Sequence, residues 1–393
     1  MYFSRIASIA LTTICLGLVA VVPDALAQEK LRVGILGQFS GPMAISGKAY
    51  QQGIQAYQSV YGTRVGGREV EVLYRDIGGT NAAVAKRLAE ELIVRDQVSV
   101  IAGFYLSSEP IAVAPVLTET NTPGIVFNGG TLVMTEASPL IIRIGATTGY
   151  QYGTVQAEWA IKKGFKRTYI SVSDYSAGQE YLTVFKKRYT DLGGEIVGED
   201  KVPLNTVDFS PYIERVARAK PELFATFVVA NMPSWVKALA AQGLTGRKDL
   251  AITGLAELEE ASLPLFDDSV VAMYDELVYG VDAPGAENKK YKDANRALFG
   301  PTAIPGYYGA SAWDGMHVIY QMIRSQQGKK FDGAAAVKAM LGYKLDGAKG
   351  PQLIEPDTRS ATQNVYIRRA VKGPDGKLKL EISDTFKAVR SAP

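Results

Sequence analysis

Leu31-Arg32-Val33-Gly34-Ile35-Leu36 runs into Gly37 and then the loop Gln38-Phe39-Ser40-Gly41-Pro42. A short apolar run closed by glycine and proline reads as a strand buried on both faces of a parallel sheet. Only three residues separate it from an export signal. Arg5 supplies a positive n-region, Ile6 to Val22 is apolar, and Ala25-Leu26-Ala27 is a small-x-small cleavage site, so residues 1–27 are expected to be removed. The chain therefore reads as an exported α/β protein.

Removing 27 residues from 393 leaves too much chain for one compact core and enough for two lobes. Lys and Arg total 43 against 40 Asp and Glu, a net charge of +3, which points to neither nucleic acid nor an anionic membrane as partner. Beyond the signal, no stretch reaches the roughly 18 apolar residues that span a bilayer. The single cysteine, Cys15, lies inside the signal, with Ile14 before it where a lipoprotein signal needs a small residue. The mature chain then has no thiol for a disulfide, a zinc site or a nucleophile. Its one histidine, His317, sits in a helical pattern and reads as structural. Such a chain is poorly equipped for acid–base or nucleophilic chemistry, and no cofactor or metal is expected.

Working outward from the first strand, helix and strand patterns alternate, as in parallel sheets with crossover helices. Helices are expected over 49–61, 81–95 (with Asn81 as N-cap) and 111–119, and strands over 69–74, 98–102 and 124–127. A second series begins near Ile144, with helices over 152–163, 179–192, 212–219 and 234–242. Its strands are expected over 168–172, 196–202, 223–229, 250–253 and 270–280. Helices over 288–299, 308–326 and 332–341 follow, then a terminal hairpin of 364–371 with 377–381. Two α/β lobes with a chain that crosses between them more than once is the economical reading.

Ligands gather beyond the strand ends of open α/β sheets, so the loops there are the candidate sites. Gly103 to Pro110 holds Ser107 and Ser108, either of which can cap the next helix. A cap serine beside free backbone N–H groups also suits a carboxylate. Asn128-Gly129-Gly130-Thr131 offers close backbone approach and a hydroxyl, and Ser46 follows the Ser40-Gly41-Pro42 loop. In the second series, Asp174-Tyr175-Ser176 and Gly254-Leu255-Ala256-Glu257 hold equivalent places. Gly34-Ile35-Leu36-Gly37 departs from G-x-G-x-x-G, and there is no G-x-S-x-G elbow, which leaves a nicotinamide site or a hydrolase without support.

The order of these stretches, with Pro123 to Thr131, Ser173-Asp174-Tyr175, Tyr212 to Lys220 and Lys349-Gly350-Pro351, resembles the periplasmic solute-binding proteins of ABC importers. The resemblance is specifically to the leucine/isoleucine/valine-binding type, with the type I periplasmic-binding-protein fold. That resemblance implies α/β architecture in two doubly wound parallel-sheet lobes joined by a three-crossover hinge, with ligand closing the cleft. The crossovers fall near Ile144–Thr148, Val278–Asp282 and Gly350–Glu355. The lobes would comprise 28–146 plus 281–352, and 147–280 plus 353–393.

By the same likeness Ser107 aligns with the serine that holds the ligand carboxylate, and Gly129 and Thr131 with the loop that completes its clasp. Ser108, next to Ser107, is a further candidate for the site. Ser46 stands where amino-acid binders often carry an aromatic. Tyr175 lies near a family tyrosine, Asn231 falls where another tyrosine is common, and Glu257 is about one position from the acid that pairs an ammonium. Tyr308 would wall the pocket. The ligand class stays open between a branched-chain or other hydrophobic amino acid and an aromatic carboxylate. The implied function is capture of a small carboxylate-bearing solute by a periplasmic monomer, for delivery to a permease in the inner membrane. A receptor feeding a sensor kinase or chemoreceptor is the alternative.

Overall fold

The computed structural model describes residues 30–41, 43–79, 81–229, 231–254 and 258–393. Its first part alternates as β1 (Leu31–Gly37), α1 (Ala44–Tyr61), β2 (Arg64–Val65), β3 (Arg68–Asp76), α2 (Ala82–Val94), β4 (Val100–Gly103), α3 (Ser108–Glu119), β5 (Gly124–Val126), α4 (Val133–Ala137) and β6 (Ile141–Arg143). These strands form one sheet in the order β2-β3-β1-β4-β5-β6, parallel apart from the β2–β3 pair. Val33 and Ile35 pack on the core under α1, while Leu36 joins Leu88 and Leu92 of α2 on the other face. Burial of alternate residues on opposite faces explains why β1 carries no polar side. Asn81 caps α2, its side chain accepting N–H bonds from Ala83 and Val84 at 3.1 and 3.2 Å.

The chain continues through α5 (Gly149–Lys162), β7 (Arg167–Ser173), α6 (Ser176–Asp191), β8 (Glu195–Val202), α7 (Ser210–Ala219), β9 (Leu223–Phe227), α8 (Met232–Ala241) and β10 (Ala251–Thr253). They make a second parallel sheet ordered β10-β9-β7-β8. Strand order reverses between β1 and β4 in the first sheet and between β7 and β9 in the second. Crevices form at such switch points.

The last part holds β11 (Tyr274–Leu277), α9 (Ala286–Phe299), α10 (Tyr307–Ser325), α11 (Gly333–Met340), β12 (Lys344–Gly347), β13 (Gly350–Ile354), β14 (Ala361–Lys372) and β15 (Leu378–Val389). Its strands form an antiparallel sheet, β11-β14-β13-β12, with β15 on β14. This sheet adds to the expected parallel pair. The terminal hairpin is present and longer than its sequence pattern suggested, whereas the β12–β13 hairpin was not expected. The strand expected over 270–280 is shorter, because a 3₁₀ turn at Asp268–Val270 precedes β11.

Helix α10 is buried on nearly every side and crosses α1 closely. At that crossing a Cβ on Gly53 would lie 2.2 Å from the Gly309 carbonyl oxygen, which is why glycine stands there. His317 bonds the Tyr343 hydroxyl at 3.0 Å, the structural role expected of it. Among the described residues, no helix is long and apolar enough to cross a membrane, and no group of His, Cys, Asp or Glu is arranged to hold a metal.

Candidate functional site

The loops leaving the two switch points meet at one cavity of about 50 Å³. From the first sheet come Tyr105, Leu106 and Ser107 after β4, and Asn128, Gly129 and Gly130 after β5. Tyr175 after β7, Phe227 and Val229 at the end of β9, and Tyr152 of α5 come from the second. Ala146 and Thr147 of the connecting segment, Leu277 of β11, and Tyr307 and Tyr308 at the start of α10 complete the lining.

The polar end is tightly built. The Ser107 hydroxyl accepts the Gly130 N–H at 3.1 Å and keeps its own proton to donate. Although Ser107 stands at the N-cap of α3, its side chain makes no cap bond. The Glu109 carboxylate instead accepts the Tyr105 N–H at 2.7 Å, and Gln38 Nε2 donates to it at 2.7 Å. Gly129 adopts φ 103°, a left-handed backbone that favours glycine. Its carbonyl accepts from Arg143 Nη1 at 2.9 Å, and Arg143 also binds Ser360 Oγ and the Ala146 carbonyl. Asn128 joins the two ends of the wall: it donates to the Tyr105 carbonyl at 2.9 Å and accepts the Tyr307 hydroxyl at 2.7 Å.

The remaining walls are aromatic. Tyr308 lies 5.9 Å from Tyr105 and 5.0 Å from Tyr307, ring centre to ring centre. Across the cavity, Tyr175 stacks on Phe227 at 6.2 Å, and Tyr152 meets Phe227 edge-on at 5.0 Å. Among the described residues, no lining side chain carries a charge. Just behind the lining, burial pushes the Glu109 carboxyl up to about 7 and the Arg143 guanidinium down to about 10. Glu259, pushed up to about 8 by burial, accepts the Tyr307 N–H at 3.1 Å and so fixes the start of α10.

Of the residues expected from the sequence, Ser107, Gly129, Tyr175 and Tyr308 line this cavity together. Thr131 does not line it. Its hydroxyl accepts the Val133 N–H at 3.3 Å. Ser108 is exposed at the first turn of α3, away from the cavity, because the helix turns it outward. Ser46, with its hydroxyl donated to the Met43 carbonyl at 2.8 Å, and Asn231 line a second, mostly apolar cavity. The two cavities share Tyr105 and Tyr308. Glu257 lies outside the described residues. Sequence reasoning missed Tyr152, Phe227, Leu277 and Tyr307, all of which sit inside apolar patterns that a plain core would also produce.

A family model described as periplasmic binding protein matches residues 30–376. The chain is 36% identical over 371 residues to the Leu/Ile/Val-binding protein homolog 6 of Brucella suis biovar 1, covering 94% of each. It is 36% identical to an ABC-transporter solute-binding protein from R. palustris solved in complex with 4-hydroxybenzoate. That match has a TM-score of 0.86 over 92% of this chain and 98% of the other. A second such protein, from Rhodopseudomonas palustris BisB5 in complex with 3,4-dihydroxybenzoic acid, is 34% identical with a TM-score of 0.85 and the same coverage. A leucine-binding protein from Thermotoga maritima, 19% identical with a TM-score of 0.76 over 91% of this chain and 99% of that one, shares the fold. The chain belongs to the periplasmic binding protein family and is a solute-binding component of an ABC transporter, with the type I fold of that family.

Proposed function

We propose that the protein captures a small aromatic carboxylate of the hydroxybenzoate kind and hands it unchanged to an ABC permease in the inner membrane. The observation that carries this reading is the cavity lining: hydroxyls and backbone N–H groups at one end, aromatic rings around the rest, and no carboxylate among the described lining residues. The ligand carboxylate would sit at Ser107 and the Gly129–Gly130 backbone, before the N-terminus of α3, where the helix dipole favours an anion. The ring would lie among Tyr105, Tyr175, Phe227 and Tyr308. An amino acid would bring an ammonium as well, which needs a buried acid opposite it. The bound acids of the two R. palustris relatives support the same class.

Mechanism in this reading is hinge closure. The lobe of residues 28–146 plus 281–352 holds the carboxylate, and the lobe of 147–280 plus 353–393 closes over the ring and excludes water. A monomer released into the periplasm after loss of residues 1–27 would do this alone. The name of the Brucella relative favours a second reading, a branched-chain amino acid. Thermal unfolding of the ligand-stripped mature protein separates the two. A ligand at 100 times its Kd stabilises the fold by about 2.7 kcal/mol. Benzoate and 4-hydroxybenzoate are expected to raise Tm while leucine, valine and phenylalanine do not. The reverse pattern overturns the proposal.

A further inference from the structure

Tyr152 is a tyrosine of the cavity wall that makes no contact with the polar end. It is 1% exposed, and its hydroxyl has no hydrogen-bond partner among the described residues. A buried hydroxyl left unpaired is unfavourable. The ring itself is well held, edge-on to Tyr181 at 5.4 Å and to Phe227 at 5.0 Å. Packing therefore accounts for the ring and leaves the oxygen over.

The surroundings of that oxygen are polar as well. One turn further along α5, Gln156 accepts the Tyr181 hydroxyl but has no acceptor for its own amide nitrogen. Asp275 and Glu276 of β11, beside the lining residue Leu277, are fully buried, and both interact electrostatically with Tyr152, Asp275 the more strongly. Neither Glu276 carboxyl oxygen is bonded among the described residues, and Glu276 also interacts with Tyr181. Tyr152, Gln156 and Glu276 thus form a buried polar patch behind the aromatic wall. Only Tyr152 of these three lines the cavity. It comes from the elements around the second sheet, whereas Ser107 comes from the first.

We infer that the Tyr152 hydroxyl is the specificity-determining contact for a ring hydroxyl at the end of the ligand remote from its carboxylate. This rests on the aromatic-carboxylate reading above and adds a preference within that class. A phenol can donate to or accept from Tyr152, so each satisfies the other. An unsubstituted ring leaves the Tyr152 oxygen as it is.

The test is calorimetric titration of benzoate, 4-methylbenzoate and 4-hydroxybenzoate into the mature wild-type protein and into Tyr152→Phe. The variant is expected to lose about tenfold in affinity for 4-hydroxybenzoate, the scale of one buried hydrogen bond. Its affinity for benzoate should stay within about twofold. Wild type should prefer 4-hydroxybenzoate to 4-methylbenzoate, and the variant should not. Equal losses for all three acids, an unchanged 4-hydroxybenzoate affinity, or an unfolded variant would overturn the inference and leave the aromatic-carboxylate reading standing. Wild type that binds none of the three acids removes that reading, and the inference with it.

Discussion

The Ser107 hydroxyl accepts the backbone N–H of Gly130 at 3.1 Å, clipping the loop after β4 to the loop after β5. One small side chain therefore shapes the polar end of the cavity and retains a proton for an anion. Ser107→Ala removes both effects. Affinity for benzoate is expected to fall about tenfold, within the range for a hydrogen bond to a charged group. Calorimetry checks this, and an affinity within twofold of wild type would exclude Ser107 from the site.

Thr131→Ala separates the cavity from its support. The Thr131 hydroxyl accepts the Val133 N–H at 3.3 Å. Benzoate affinity should stay within about twofold, while the loss of this local bond lowers stability by about 1 kcal/mol. A large loss of affinity at unchanged Tm would show that Thr131 reaches the ligand.

The contrast between these two residues shows what the sequence could convey. Strand β1 and the loops holding Ser107 and Gly129 were legible because double-sided burial writes a continuous apolar run, and ligand loops follow the strand ends. The direction of the Thr131 hydroxyl was not legible, because a hydroxyl after two glycines gives no hint of where it points, which tertiary contacts decide. Tyr152 and Leu277 were invisible for a different reason. They stand in a helix and a strand whose apolar residues look alike whether they face the core or a cavity. The β12–β13 hairpin escaped because its strands are only four and five residues long and share a glycine-bounded turn.

Gly53→Ala tests the α1–α10 crossing. The added Cβ would need the Gly309 backbone to move, since 2.2 Å is far inside contact distance. Overpacking of this kind costs about 1–3 kcal/mol or more. A lower urea midpoint at constant m-value is expected. An unchanged midpoint would mean that the two helices separate without cost.

Lys349 ties the segment after β6 to the β12–β13 turn. Its ammonium, fully buried, donates to the Ile144 carbonyl, and Asp314 Oδ2 lies 3.9 Å away. Asp314 also takes Gln352 Nε2 at 2.6 Å. Lys349→Met strips the buried carboxylate of its cation, a change worth about 3–5 kcal/mol. Urea unfolding reads this directly. A loss below about 1 kcal/mol would show that Asp314 is satisfied by its neutral donors alone.

Glu109 gives the fold a pH dependence with a definite sign. Burial raises its folded value from 4.5 to about 7 against the opposing bonds from Tyr105 and Gln38. Below pH 4.5 the group is protonated in both states, and its contribution is fully present. As pH rises towards 7 the unfolded chain ionises first while the folded one keeps its proton, so stability falls. Above about pH 7 both are ionised and nothing further is lost. Glu109→Gln cannot titrate, so every other group cancels in the comparison with wild type. The wild-type advantage should shrink by on the order of 3 kcal/mol between pH 4.5 and 7, whatever constant offset the amide introduces. Urea midpoints at intervals across that window measure it. A difference that stays flat would mean the Glu109 carboxyl ionises in the fold as it does in the open chain, with Tyr105 N–H and Gln38 offsetting the whole cost of burial.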